Sequence, residues 1–266
     1  MQWKLQKVMD VGTNNPIVAR MSVGLFGIIE FTSLSKDKKE KLKSNCYEIM
    51  KLLVLAEKSA KPIIEEITKI VEDIKMNSIK TQSSGRCINL PSATNLDESR
   101  AFIKYAKQVL QKIAENINII FDKSYPTTRF DNIRNAFVSE FGNDFAVTKL
   151  LIEDHSWIKK IIDLRNEDEH PKTGKPYCNN FDVIRDKDGK FIITMPTFFE
   201  GTQIANALEV YSRNLLTFSE EITILSLEKY FPGIATIYEI PENERDPKLP
   251  VRFRIGLKQS SRKTSD

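Results

Sequence analysis

The six residues Arg165-Asn166-Glu167-Asp168-Glu169-His170, followed by Pro171, bring a guanidinium, an amide, three carboxylates and an imidazole into one short stretch. An imidazole with an unperturbed pKa of about 6.5 gives or takes a proton near neutrality, and a guanidinium grips a phosphate with two donors. Together they suit phosphodiester cleavage by proton transfer and charge neutralisation, without a metal. Spacing decides whether they can meet. His170 stands five residues after Arg165, about 140° around an ideal helix, so the two diverge if the helix runs on. Proline pushes the residue before it out of the α region. The helix is therefore expected to stop at His170, leaving the imidazole free to swing toward the arginine. Asn166, four residues before His170, shares the histidine's side and can orient a ring nitrogen or a ligand oxygen.

Arg165 also continues an apolar stripe made by Leu151, Ile158, Ile161 and Ile162. An arginine there either snorkels off the end of the core or holds an anion, because an unpaired buried charge is costly. Asp168 and Glu169, three and four residues on, offer an ordinary intrahelical ion pair worth about 0.3–0.5 kcal/mol. Against that plain account, three acids crowd a helix C-terminus, where the macrodipole prefers cations. Beyond the proline, Lys172, Lys175, Tyr177, Arg185, Lys187 and Lys190 form either a solvated loop and hairpin tip or a set that contacts phosphates and stacks a base of single-stranded RNA. His155 lies too far from His170 for a shared metal site, which needs closer spacing, and reads as a surface or packing histidine.

These residues must be positioned by helices. From Ser35, Leu42, Tyr47, Ile49, Met50, Leu53 and Val54 make a helical stripe, and Ile63, Ile67, Ile70, Val71 and Ile74 make another, with Pro62 expected to open the second helix. Residues 80–95 are small, polar and aperiodic, so they read as a loop. Asn95 or Asp97 can cap a long helix with Phe102, Ala106, Val109, Ile113 and Ile117 inward. A helix follows over 133–142, and one continuous helix over 145–170 ends at the motif. Residues 181–196 place two β-branched runs around Asp-Lys-Asp-Gly, a hairpin signal. A last helix spans about 201–229, and the alternation after it predicts two more strands.

The expected fold is mainly α: an antiparallel up-and-down bundle of four to five helices over 35–230, with a hairpin insertion near 179–195. It carries an N-terminal extension over 1–34, and C-terminal strands and a basic tail over 231–266. The strand-helix alternation of a parallel sheet is missing. The chain has 266 residues, 41% hydrophobic and 29% charged, with a formal charge of +4, too mild to demand a polyanionic partner. Cys46, Cys87 and Cys178 show no CxxC spacing, which argues against a zinc site or a disulfide scaffold and for a reducing cytoplasm. The apolar run over 17–31 is broken by Arg20 and Glu30 and is too short to span a bilayer. No Walker, dinucleotide or nucleophile-elbow motif occurs, so no cofactor is expected.

The Arg165-to-His170 stretch, with Asn after the arginine, resembles the Arg-x4-6-His motif of HEPN domains, and the helical pattern over 36–230 agrees with that family's bundle. The resemblance implies a metal-independent endoribonuclease, commonly a toxin or an antiviral effector. In such enzymes the substrate's 2′-hydroxyl attacks the adjacent phosphate. It assigns Arg165 to the phosphorane charge, His170 to proton transfer and Asn166 to geometry. It also implies a homodimer with a composite site, and a possible antitoxin or regulatory partner; a non-catalytic nucleotide- or RNA-binding module is the alternative. One subgroup carries a tyrosine two residues after the histidine, where this chain has Lys172.

Overall fold

The computed structural model describes residues 10–77, 90–172, 174–185, 187 and 191–257. Cys87, most of the 80–95 loop, Lys190 and the basic tail from 258 lie outside the described residues.

The chain is mainly helical. The helices are α1 (Pro16–Val18), a π-helical stretch Ala19–Gly24, α2 (Leu25–Phe31), α3 (Lys36–Asn77), α4 (Glu98–Phe121), α5 (Phe130–Phe141), α6 (Ala146–Glu153), α7 (His155–Glu169) and α8 (Ile204–Leu227). The strands are β1 (Cys178–Asn179), β2 (Asp182–Arg185), β3 (Phe191–Thr194), β4 (Thr197–Phe198), β5 (Ala235–Glu239) and β6 (Phe253–Leu257). Among the described residues the strands pair antiparallel: β1 with β4, β2 with β3, and β5 with β6.

Two helix boundaries differ from the sequence expectation. Pro62 lies inside α3 and does not open a second helix. An interior proline costs about 3 kcal/mol, but Ala56, Ala60, Ile63 and Ile67 are all buried on the same stripe. Burial of such side chains, about 1.5–3 kcal/mol for each large one, outweighs the lost backbone bond. The helix expected over 145–170 is divided at Asp154, whose N–H closes α6 onto Leu150 at 3.0 Å before α7 starts.

The chain divides into two compact units. The first comprises Met1–Leu52, Val109–Asp154 and Leu216–Asp266; the second comprises Leu53–Gln108 and His155–Leu215. In the first, Arg20 sits in the π-helical stretch and is 8% exposed. Its Nε donates to Glu220 Oε2 at 2.9 Å, and its Nη2 lies 2.7 Å from the same oxygen without an aligned hydrogen bond. Arg252 joins the cluster, meeting Glu221 at 2.5 Å and Glu239 at 2.7 Å. In the second unit, Ile63, Ile67, Phe102, Ile103 and Leu208 are buried, as are Ile158, Ile161 and Leu164 of α7.

Candidate functional site

α7 keeps Trp157, Ile158, Ile161 and Leu164 buried. Its last turn closes when the His170 N–H donates to the Asn166 carbonyl at 2.8 Å. The chain then turns away, and the Glu167 carboxylate accepts the Lys172 N–H at 2.9 Å. The stop expected from Pro171 is therefore in place, with α7 ending at Glu169.

A cleft of about 400 Å³ opens at this helix end, bordered on α7 by Lys160, Asp163, Leu164, Asn166 and Glu167. His170, Lys172, Phe199 and Glu200 complete the wall. Positions 160, 163, 164, 167 and 170 repeat at three and four residue steps, so one helix face supplies most of it. The Lys160 and Lys172 ammonium groups and the His170 imidazole make no hydrogen bond or ion pair with another described residue. Asp163 is held by Lys159 at 3.2 Å.

Arg165 does not border this cleft. Its guanidinium is bound by Asp168 at 2.5 Å and Glu169 at 2.7 Å, the intrahelical pairing that the sequence left open. Asp168 also receives Arg100 of α4, so one carboxylate bridges two guanidiniums. Lys107, also of α4, reaches Glu169 at 3.4 Å and Asn166 Oδ1 at 3.3 Å. Asp168 and Glu169 thus tie α7 to α4 through two cations, Arg100 and Lys107, while Arg165 pairs with them within α7, which gives the acids that oppose the helix dipole a physical reason.

Of the residues expected at the site, Asn166, His170 and Lys172 share the cleft, whereas Lys175 is exposed and outside it. Tyr177 is only 6% exposed; the Arg100 guanidinium lies 4.2 Å from its ring centroid and Phe198 packs against it edge-on. Its ring serves the fold, and burial pushes its hydroxyl well above the usual tyrosine range. Lys160, Phe199 and Glu200 were missed by the sequence reading. The one signal for Lys160 is its position ten residues before His170 on the same face.

Neither described cysteine is poised as a nucleophile. Burial pushes the Cys46 thiol up to about 12 and raises that of Cys178, against a hydrogen bond shared with Ser99. Among the described residues no group of three or more His, Cys, Asp or Glu converges where a metal ion would sit, and no helix is long and apolar enough to cross a membrane. No known protein-family model, no curated protein and no solved structure matches the chain.

Proposed function

We propose that the protein is a metal-independent endoribonuclease of HEPN type that cuts single-stranded RNA at the end of α7. One observation carries the reading: an imidazole and two ammonium groups with no partner among the described residues share one cleft with an amide, beside the Asp163, Glu167 and Glu200 carboxylates. Ammonium groups free to pair with a ligand are what a phosphate needs, and an imidazole among them supplies proton transfer. In the reaction the 2′-hydroxyl loses its proton to His170 as its oxygen bonds to the adjacent phosphorus. The phosphorus–5′-oxygen bond breaks, and the leaving oxygen takes a proton from the imidazolium. The products end in a 2′,3′-cyclic phosphate and a 5′-hydroxyl. Lys160 and Lys172 neutralise the phosphate, and Asn166 orients it. Arg165 takes the growing charge once a phosphate replaces Asp168 and Glu169 on its edges. A second copy of the chain completes the site, and the protein acts in the cytoplasm as a toxin or antiviral effector under an antitoxin or another regulator.

Labelled single-stranded RNA incubated with the purified protein in EDTA is expected to yield fragments with cyclic phosphate ends. His170→Ala is expected to lower the rate about 10²–10⁴-fold, the usual worth of a general acid-base group. Intact RNA with the wild type, or undiminished cutting by His170→Ala, overturns the reading. A second reading, an RNA- or nucleotide-binding module that does not cut, is favoured by the pairing of Arg165 with Asp168 and Glu169. It predicts tight binding that Arg165→Ala weakens, with the RNA intact throughout.

A further inference from the structure

We infer that a smaller pocket next to the cleft receives one nucleobase of the bound strand and selects which base flanks the cut; this rests on the ribonuclease reading. The pocket has a volume of about 180 Å³ and shares Lys160 with the cleft. Drug-sized ligands occupy sites of about 300–1,000 Å³, so this one suits a single ring system and not a whole nucleotide. Trp157 and Tyr211 supply aromatic wall, and Thr202, Asn206 and Ser156 supply polar groups. That is the composition by which proteins hold an unstacked base: apolar and aromatic surface against its face, and an amide or hydroxyl against its edge.

Tyr211 also borders the pocket: the residue is 3% exposed, and its hydroxyl makes no hydrogen bond with another described residue, which leaves it able to donate to a ligand. Burial pushes its pKa up to about 12, with the Glu200 carboxylate adding to the shift, so it is a donor at any working pH. Asn206 lies on the exposed side of the first turns of α8 and offers both a donor and an acceptor. Lys160, bordering both spaces, holds the phosphate between the selected base and the linkage cut beside His170.

The test uses strands with a single ribonucleotide in an otherwise 2′-deoxy oligonucleotide, which confines cutting to one linkage. The flanking base is varied through the four bases and an abasic residue. The wild type is expected to spread the four cutting rates by about tenfold or more, the worth of one good edge contact, and to cut the abasic strand slowest. Asn206→Ala is expected to compress that spread, and Tyr211→Phe to reorder it. Because each variant is compared with itself across strands, partial loss of folded protein does not alter the ratio. Equal rates on all strands, or a spread unchanged in both variants, overturns the pocket and leaves the nuclease standing. If no strand is cut, the nuclease reading fails, and fluorescence anisotropy with the same strands decides: base-dependent affinity erased by Asn206→Ala keeps the pocket, and uniform affinity removes it.

Discussion

In the first unit the charges of the Arg20 cluster are answered inside the protein: Glu220, 1% exposed, takes Arg20, while Arg252 is divided between Glu221 and Glu239. In the second unit, at the end of α7, the Lys160, His170 and Lys172 side chains border a cleft and make no hydrogen bond or ion pair with another described residue, although Asp163, Glu167 and Glu200 share its wall. Buried charges must be paired because desolvation costs several kcal/mol per ion, so the first cluster is committed to the fold. Charges at a solvent-filled cleft carry no such obligation and remain available to a ligand. The Arg165 network lies between these extremes, paired but only part-buried.

The largest effect tests the committed cluster. Arg20→Ala leaves Glu220 without its nearest partner and is expected to destabilise the protein by about 3–5 kcal/mol in urea denaturation. A loss under 1 kcal/mol would break the contrast. Next comes the intermediate network, where Asp168→Asn loosens both Arg100 and Arg165. About 1–3 kcal/mol of stability is expected to be lost, while affinity for single-stranded RNA rises because a guanidinium edge is freed for phosphate. Weaker RNA binding by a folded Asp168→Asn protein would mean that the carboxylate helps the site and does not merely occupy its arginine.

Smaller still is the effect of each cleft lysine. Lys160→Ala and Lys172→Ala are each expected to reduce the slope of log affinity against log salt by about 0.7, the increment for one phosphate contact on a single strand, with unfolding unchanged. The smallest effect separates two carboxylates by the sign of their pH dependence. Burial raises the pKa of Glu220 against the pull of Arg20. Its titration therefore contributes stability that is full below the ordinary value of 4.5 and lost as pH rises through the raised value. For Glu66 burial acts upward, but hydrogen bonds from Thr94 and Asn95 outweigh it and the net shift is downward. Its contribution is present above 4.5 and lost as pH falls through the lowered value. Stability difference curves against Glu220→Gln and Glu66→Gln should slope in opposite directions across this range.

What could be read in the sequence was local. Pro171 marks the helix stop because its effect falls on the adjacent residue, and Asp-Lys-Asp-Gly between β-branched runs marks β2 and β3. The alternation after residue 233 marks β5 and β6. Arg165 was legible only as a choice, since spacing permits both an ion pair and a ligand. Pro62 misled because the packing that keeps α3 continuous is tertiary. β1 and β4, of two residues each, are too short to show a period. Glu220, 200 positions from Arg20, has no signal that points to it. Lys160 escaped notice because a lone lysine on a helix resembles any solvated side chain until the opposite wall of the cleft is present.

The chain has only two histidines, so the imidazole nitrogens can be followed one by one by ¹⁵N-edited NMR while a strand with a 2′-deoxy block at the cut is added. The His170 signals are expected to shift saturably as the strand enters the cleft, while those of His155 stay unmoved. A His170 signal that ignores the strand while binding saturates by another measure would contradict the proposal.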